Sequence, residues 1–113
     1  MEKVKAYRDI AREIITKLGE QKHFTTSLIR YQVIIDDQSG NYLLFRNGWK
    51  GETRIYGCII HIEVMDDGKV WLHQDSTDYI VADLLLDKGI PKEDIVLGFH
   101  APVMRPDTEF SVG

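Results

Sequence analysis

Val4, Tyr7, Ala11, Ile14 and Leu18 recur at spacings of three and four, and Ile10 and Ile15 widen the stripe they make. This spacing predicts an amphipathic helix over residues 2–20. Gly19 falls near its end, and residues 23–27 read as a connector. From residue 28 the period changes. Ile29, Tyr31, Val33 and Ile35 alternate with Arg30 and Gln32, the pattern of a strand over 28–36 with one face buried. The polar run at 36–41 ends it as a turn. Two further strands, 42–49 and 54–65, flank residues 50–53, and Asp66, Asp67 and Gly68 close a hairpin into a fourth strand over 69–75. Four strands in succession with short turns predict an antiparallel meander. Asp75, Ser76, Thr77 and Asp78 are N-cap candidates for a second helix whose apolar positions are Ile80, Val81, Leu84 and Leu85, with Lys88 in its last turn. Gly89 suits the left-handed C′ position and Pro91 cannot continue a helix, so residues 95–99 follow as a short buried strand. A weakly alternating tail occupies 105–113.

Register follows from keeping apolar residues on one face, because a slip of one residue turns every side chain over. A three-residue loop at 66–68, with Gly68 at positive φ, sets Met65 opposite Lys69 and His61 opposite His73. A two-residue loop at Gly51 and Glu52 sets Phe45 opposite Cys58, Leu43 opposite Ile60 and Tyr42 opposite His61. The expected fold is therefore α+β: an antiparallel four-stranded meander plus a short fifth strand, covered on one face by the N-terminal helix and the second helix. Leu43, Phe45, Ile60, Ile62, Val64 and Leu72 are its predicted core. The opposite face would carry Leu44, Ile55, Ile59 and Trp71, an apolar patch of the kind that marks an interface. Self-association into a homodimer is the expectation; the alternative is that the tail folds back over the patch.

Composition narrows the classes. One hundred and thirteen residues, 43% apolar, make a single domain (1–113) able to bury its own core. One cysteine, Cys58, forms no intrachain disulfide, and the charged opening with Glu2, Lys3 and Lys5 is unlike a signal peptide, so a reducing cytosol is expected. No stretch approaches the roughly 18 apolar residues that span a bilayer. Net charge is −4, and the basic residues of the first helix, Lys5, Arg8 and Arg12 with Lys22, form only a narrow strip. Autonomous nucleic-acid binding is disfavoured, since phosphate contacts need a clustered basic surface.

Candidate chemistry lies on the meander. His61, Glu63, His73 and Asp75 fall on one face within cross-strand reach, together with Trp71, and supply the donors of an open metal site or an acid-base pair. A structural or interface cluster fits the same residues, because paired sheet histidines without a ligand motif are commonly hydrogen-bonded. The full candidate surface is Tyr42, Leu44, Ile59, His61, Glu63, Trp71, His73 and Asp75. His100, between a buried strand and Ala101-Pro102, reads as structural. Phosphate-loop, dinucleotide, C-x-x-C and H-E-x-x-H motifs are absent from the sequence. Cys58, mid-strand, reads as an inert buried thiol. No cofactor is implied.

Gly48-Trp49, the runs 54–62 and 68–72, Asp75-Ser76-Thr77 and above all residues 89–99 with His100-Ala101-Pro102 resemble the XisI family, small controlling factors associated with excision of the fdxN element in cyanobacteria during heterocyst differentiation. Tyr7-Arg8, Arg105-Pro106 and Phe110 extend the resemblance over nearly the whole chain, while Asp107 stands where an aromatic residue is expected. The resemblance implies a non-enzymatic accessory role beside a separate recombinase, with a nuclease-like XisH protein as partner. It carries over no catalytic residue. The alternatives are a DNA-binding accessory protein at the excision site and a small metal-dependent or hydrolytic enzyme using His61, Glu63 and His73.

Overall fold

The computed structural model describes residues 2–20, 28–76, 80–107, 109–111 and 113. The connector at 23–27, Lys22 and the cap candidates Thr77 and Asp78 lie outside these. Helix α1 (Glu2–Glu20) buries Val4, Tyr7, Ala11, Ile14, Ile15 and Leu18, the stripe its spacing predicts. Strands β1 (Ile29–Asp36), β2 (Asn41–Lys50), β3 (Thr53–Val64) and β4 (Val70–Asp75) form an antiparallel meander, and β5 (Ile95–Leu97) joins its end parallel to β4. The parallel pairing follows from the connection. A chain that leaves β4, crosses over as helix α2 (Val81–Asp87) and returns as the next strand arrives running the same way. Both helices contribute to one core with Tyr42, Leu44, Ile60, Ile62, Val64, Val70 and Leu72. The α+β architecture expected from sequence is the one observed.

The second helix ends as its sequence requires. Gly89 takes φ +101°, its N–H donates to Leu86 O at 2.9 Å, and Ile90 N–H donates to Leu85 O at 3.2 Å. These are the two bonds of a Schellman motif, and Ile90 and Leu85 are both buried beside them. At the start of α2 Asp75, one of the expected caps, does cap the helix, while Ile80, expected on its apolar face, does not lie there. The N-cap position is Ile80, 63% exposed, and the Asp75 carboxylate reaches from the end of β4 to accept the Val81 N–H at 2.9 Å. The last strand is also shorter than its apolar run: Phe99 lies beyond it, half exposed.

Both predicted hairpin loops form, yet each hairpin contains a bulge that sequence counting passed over. Lys50 pairs with Thr53 and Phe45 with Cys58, as expected, but the register then shifts so that Leu44 meets Ile60 and Leu43 meets His61. Ile59 is the extra residue. In the next hairpin Val64 pairs with Val70 and Ile62 with Leu72, after which His61 pairs with Gln74 and Ile60 with Asp75, leaving His73 as the extra residue. A bulge exchanges the faces of everything beyond it. Tyr42 and Leu44 are accordingly 0% exposed beneath the helices, and Ile59 joins that core. Leu43 and Phe45, expected in the core, are half-buried on the other face.

Candidate functional site

The sheet face away from the helices carries Asn41, Leu43 and Phe45 from β2, Cys58, His61 and Glu63 from β3, and Trp71 and His73 from β4. Of the eight candidate residues the structure brings together four: His61, Glu63, Trp71 and His73. Tyr42, Leu44 and Ile59 are buried on the opposite side. Asp75, beyond the second bulge, faces the helices and caps α2. The expected row of Tyr42, His61 and His73 is replaced. His61 and His73 still lie with ring centroids 4.7 Å apart, because the bulged His73 leans toward β3 instead of standing directly opposite.

Each imidazole has a partner. The His61 Nε2–H donates to Asn41 Oδ1 at 2.8 Å, and the His73 Nε2–H donates to Glu63 Oε1 at 2.9 Å. Trp71 stacks on His73, with ring centroids 5.6 Å apart and planes 21° from parallel. Burial lowers the His61 pKa first, and the neighbouring His73 lowers it further by charge repulsion, with Glu63 opposing both. His61 is therefore neutral at pH 7. Glu63 and His73 have the geometry for proton exchange, but among the described residues no hydroxyl or thiol is hydrogen-bonded to either side chain. Among the described residues, no group of three or more His, Cys, Asp or Glu side chains converges as a metal site. Cys58 is half-buried opposite Phe45, and burial pushes its thiol pKa up, away from nucleophilic reactivity.

Arg105 and Gly98 belong to the cluster although neither is a site candidate from sequence. The tail turns through a 3-10 segment, Pro102–Asp107, that lays Arg105 over the Trp71 ring at 5.1 Å. Gly98 leaves room for the rings: a Cβ there would sit 3.1 Å from both His73 Nδ1 and Trp71 Cε3. No local pattern marks Arg105, whereas Asn41 becomes legible once the first bulge is placed. The tail thus covers Trp71 at the β4 end of this face, the one residue of the expected apolar patch of Leu44, Ile55, Ile59 and Trp71 that lies here. Ile34, Leu43, Phe45, Tyr56 and His61 remain as an accessible aromatic and apolar strip. His100 is exposed and stacks on Phe99 at 4.7 Å.

The basic strip of α1 is neutralised. Lys5 pairs with Asp9 at 3.7 Å, Arg8 with Asp66 at 3.4 Å, and Arg12 with Asp37. These six residues and Val4 line a groove of about 480 Å³ in which three cations face three carboxylates. Among the described residues, no helix is long and apolar enough to cross a membrane.

Comparison with known proteins adds family information to this geometry. The family model described as XisI protein matches residues 1–112. The crystal structure of a XisI-like protein from Anabaena variabilis is 34% identical, with a TM-score of 0.89, covering 97% of this chain and 99% of that one. The crystal structure of the fdxN element excision controlling factor XisI from the same organism is 35% identical, with a TM-score of 0.83 and coverage of 98% and 99%. No curated protein sequence matches the chain.

Proposed function

The chain belongs to the XisI family, and from that premise we propose that it is an accessory factor controlling excision of a DNA element, binding a nuclease-related XisH-like protein and performing no strand chemistry itself. The observation that carries this reading is the end-to-end similarity to an excision controlling factor. The site supports it in two ways. The open sheet face offers an aromatic and polar surface suited to protein contact, with Tyr56 63% exposed beside Phe45. The paired cations of α1 offer no stripe for a phosphate backbone. We place the role in the cytosol of a cyanobacterial cell, during heterocyst differentiation.

Co-expression with the XisH-like protein of an adjacent reading frame tests the proposal. Stoichiometric co-elution from a tag on either protein is expected, weakened by Tyr56→Ala and His61→Ala on the open face and unchanged by Lys5→Ala on the helix side. Failure to co-elute overturns the partner. A salt-sensitive shift of duplex DNA by the isolated chain would instead favour direct DNA binding.

A further inference from the structure

The two edges of the sheet are treated differently. Beyond β5 the tail closes the edge: Ser111 N–H donates to Ile95 O at 2.8 Å and Ser111 bridges Val96, which is fully buried. At the other edge β1 is the outermost strand of the sheet, paired with β2 without a break from Ile29↔Gly48 to Asp36↔Asn41. It presents Val33, Ile34 and Ile35 at 39%, 45% and 38% exposure. Leu28 O accepts the Trp49 N–H at 3.0 Å, so the even-numbered residues direct their backbone groups at β2. Alternation along an antiparallel ladder then turns the N–H and C=O of Val33 and Ile35 outward. The strand holds no proline, lysine or bulge, three devices that blunt an edge, and its two charges, Arg30 and Asp36, stand at its ends.

We propose that β1 is the interface for a second copy of this chain, the two strands pairing antiparallel about a two-fold axis at Val33. The charges of the strand select this occupant and this register. With Val33 opposite its own counterpart, Gln32 faces Ile34, Tyr31 faces Ile35, and Arg30 faces Asp36, each twice. Both charged residues are exposed, and none of the ion pairs among the described residues involves Arg30. Sliding the second copy by two residues sets Arg30 against Ile34 or Gln38 and loses both charge pairs. Parallel pairing sets Arg30 beside Arg30. Both sheet faces also continue correctly: Val33 and Ile35 lie on the helix side with Leu44 and Tyr42, and Arg30, Ile34 and Asp36 on the open side. Joining the edges buries three apolar side chains per copy and extends the sheet to ten strands. The interface differs from the Leu44 and Trp71 surface expected from sequence, where Leu44 is wholly internal.

The proposal is independent of the XisH-like partner, because its test uses the isolated chain. Size-exclusion chromatography with light scattering at tens of micromolar is expected to give twice the 13.0 kDa chain mass. Ile34→Lys is expected to give the single chain mass, and Arg30→Asp, which sets two carboxylates against each other at both ends, to weaken self-association about tenfold. Register is read separately. In a Cys58→Ser background, Val33→Cys should form an interchain disulfide under mild oxidation while Ile35→Cys should not. A single chain mass up to several hundred micromolar overturns the proposal, as does a dimer indifferent to both Ile34→Lys and Arg30→Asp.

Discussion

Asp94 is 7% exposed and holds two partners from the far end of the chain, the Tyr7 hydroxyl donating at 2.6 Å and the Lys3 ammonium at 2.9 Å. Burial by itself raises the pKa of this carboxyl, but the Tyr7 hydrogen bond and the Lys3 charge outweigh it, and the net shift is downward. The same environment, burial first and then Asp94, pushes the Tyr7 hydroxyl up to about 12. A depressed carboxyl pKa stabilises the fold above its unfolded value and loses that contribution as pH falls through the folded value. Thermal melts should therefore show a loss of stability on acidification below about pH 4, and Asp94→Asn should flatten that limb of the profile. Tyr7→Phe is expected to cost about 2 kcal/mol in urea denaturation, the worth of a hydrogen bond to a charged group. On the open face, His73→Gln removes one of the two influences that lower the His61 pKa, so the His61 ring resonances should titrate at higher pH by NMR than in the unaltered chain. Asp94 was invisible in the sequence, where it stands beside Lys92 and Glu93 like any solvated charge. The approach of α1 gives it the Tyr7 and Lys3 partners.

At the scale of elements, what depends on neighbours in sequence was legible and what depends on strand pairing was not. The α1 stripe, both hairpin loops and the Gly89 stop are set by spacing or by backbone conformation, and all are where the residues indicate. Alanine at Gly89 meets no atom within 4 Å yet must adopt φ +101°, so Gly89→Ala should destabilise by about 1 kcal/mol through backbone strain alone. Gly48 is constrained by contact instead. A Cβ there would lie 2.0 Å from Leu28 O and 2.6 Å from Ile29 Cα, on the backbone of β1. Gly48→Ala should therefore detach the start of β1 and cost about 3 kcal/mol, seen as a lowered urea midpoint. The bulges at Ile59 and His73 had no such local marker. Leu43 and Leu44 are equally apolar, so alternation could not say which of them faces the helices.

Across the whole molecule, the Tyr7 and Asp94 contact and the Lys88 bond to Glu13 at 2.8 Å fasten the first helix to the last third of the chain. Unfolding should consequently be cooperative, with tryptophan fluorescence and far-ultraviolet circular dichroism giving coincident urea transitions. The Cα radius of gyration is 14.6 Å, above the roughly 13 Å of a compact chain this long. The β2 and β3 hairpin accounts for the difference in part. It runs on past β4, whose pairing stops opposite Ile60, and ends where Arg54 lies over both Trp49 and Tyr56. By itself the sequence determined the α+β class, the order of the elements, their turns and the family, because periodicity, glycine and proline placement and motif residues are written locally along the chain. Tertiary structure alone decided which side of the meander became the core, that Asp75 would cap a helix rather than join the histidines, that Arg105 would close over Trp71, and that β1 would be left as the apolar edge. Those outcomes turn on one-residue shifts between strands and on contacts between residues far apart in the chain, and pairwise energies set by packing leave no periodic trace in the order of the amino acids.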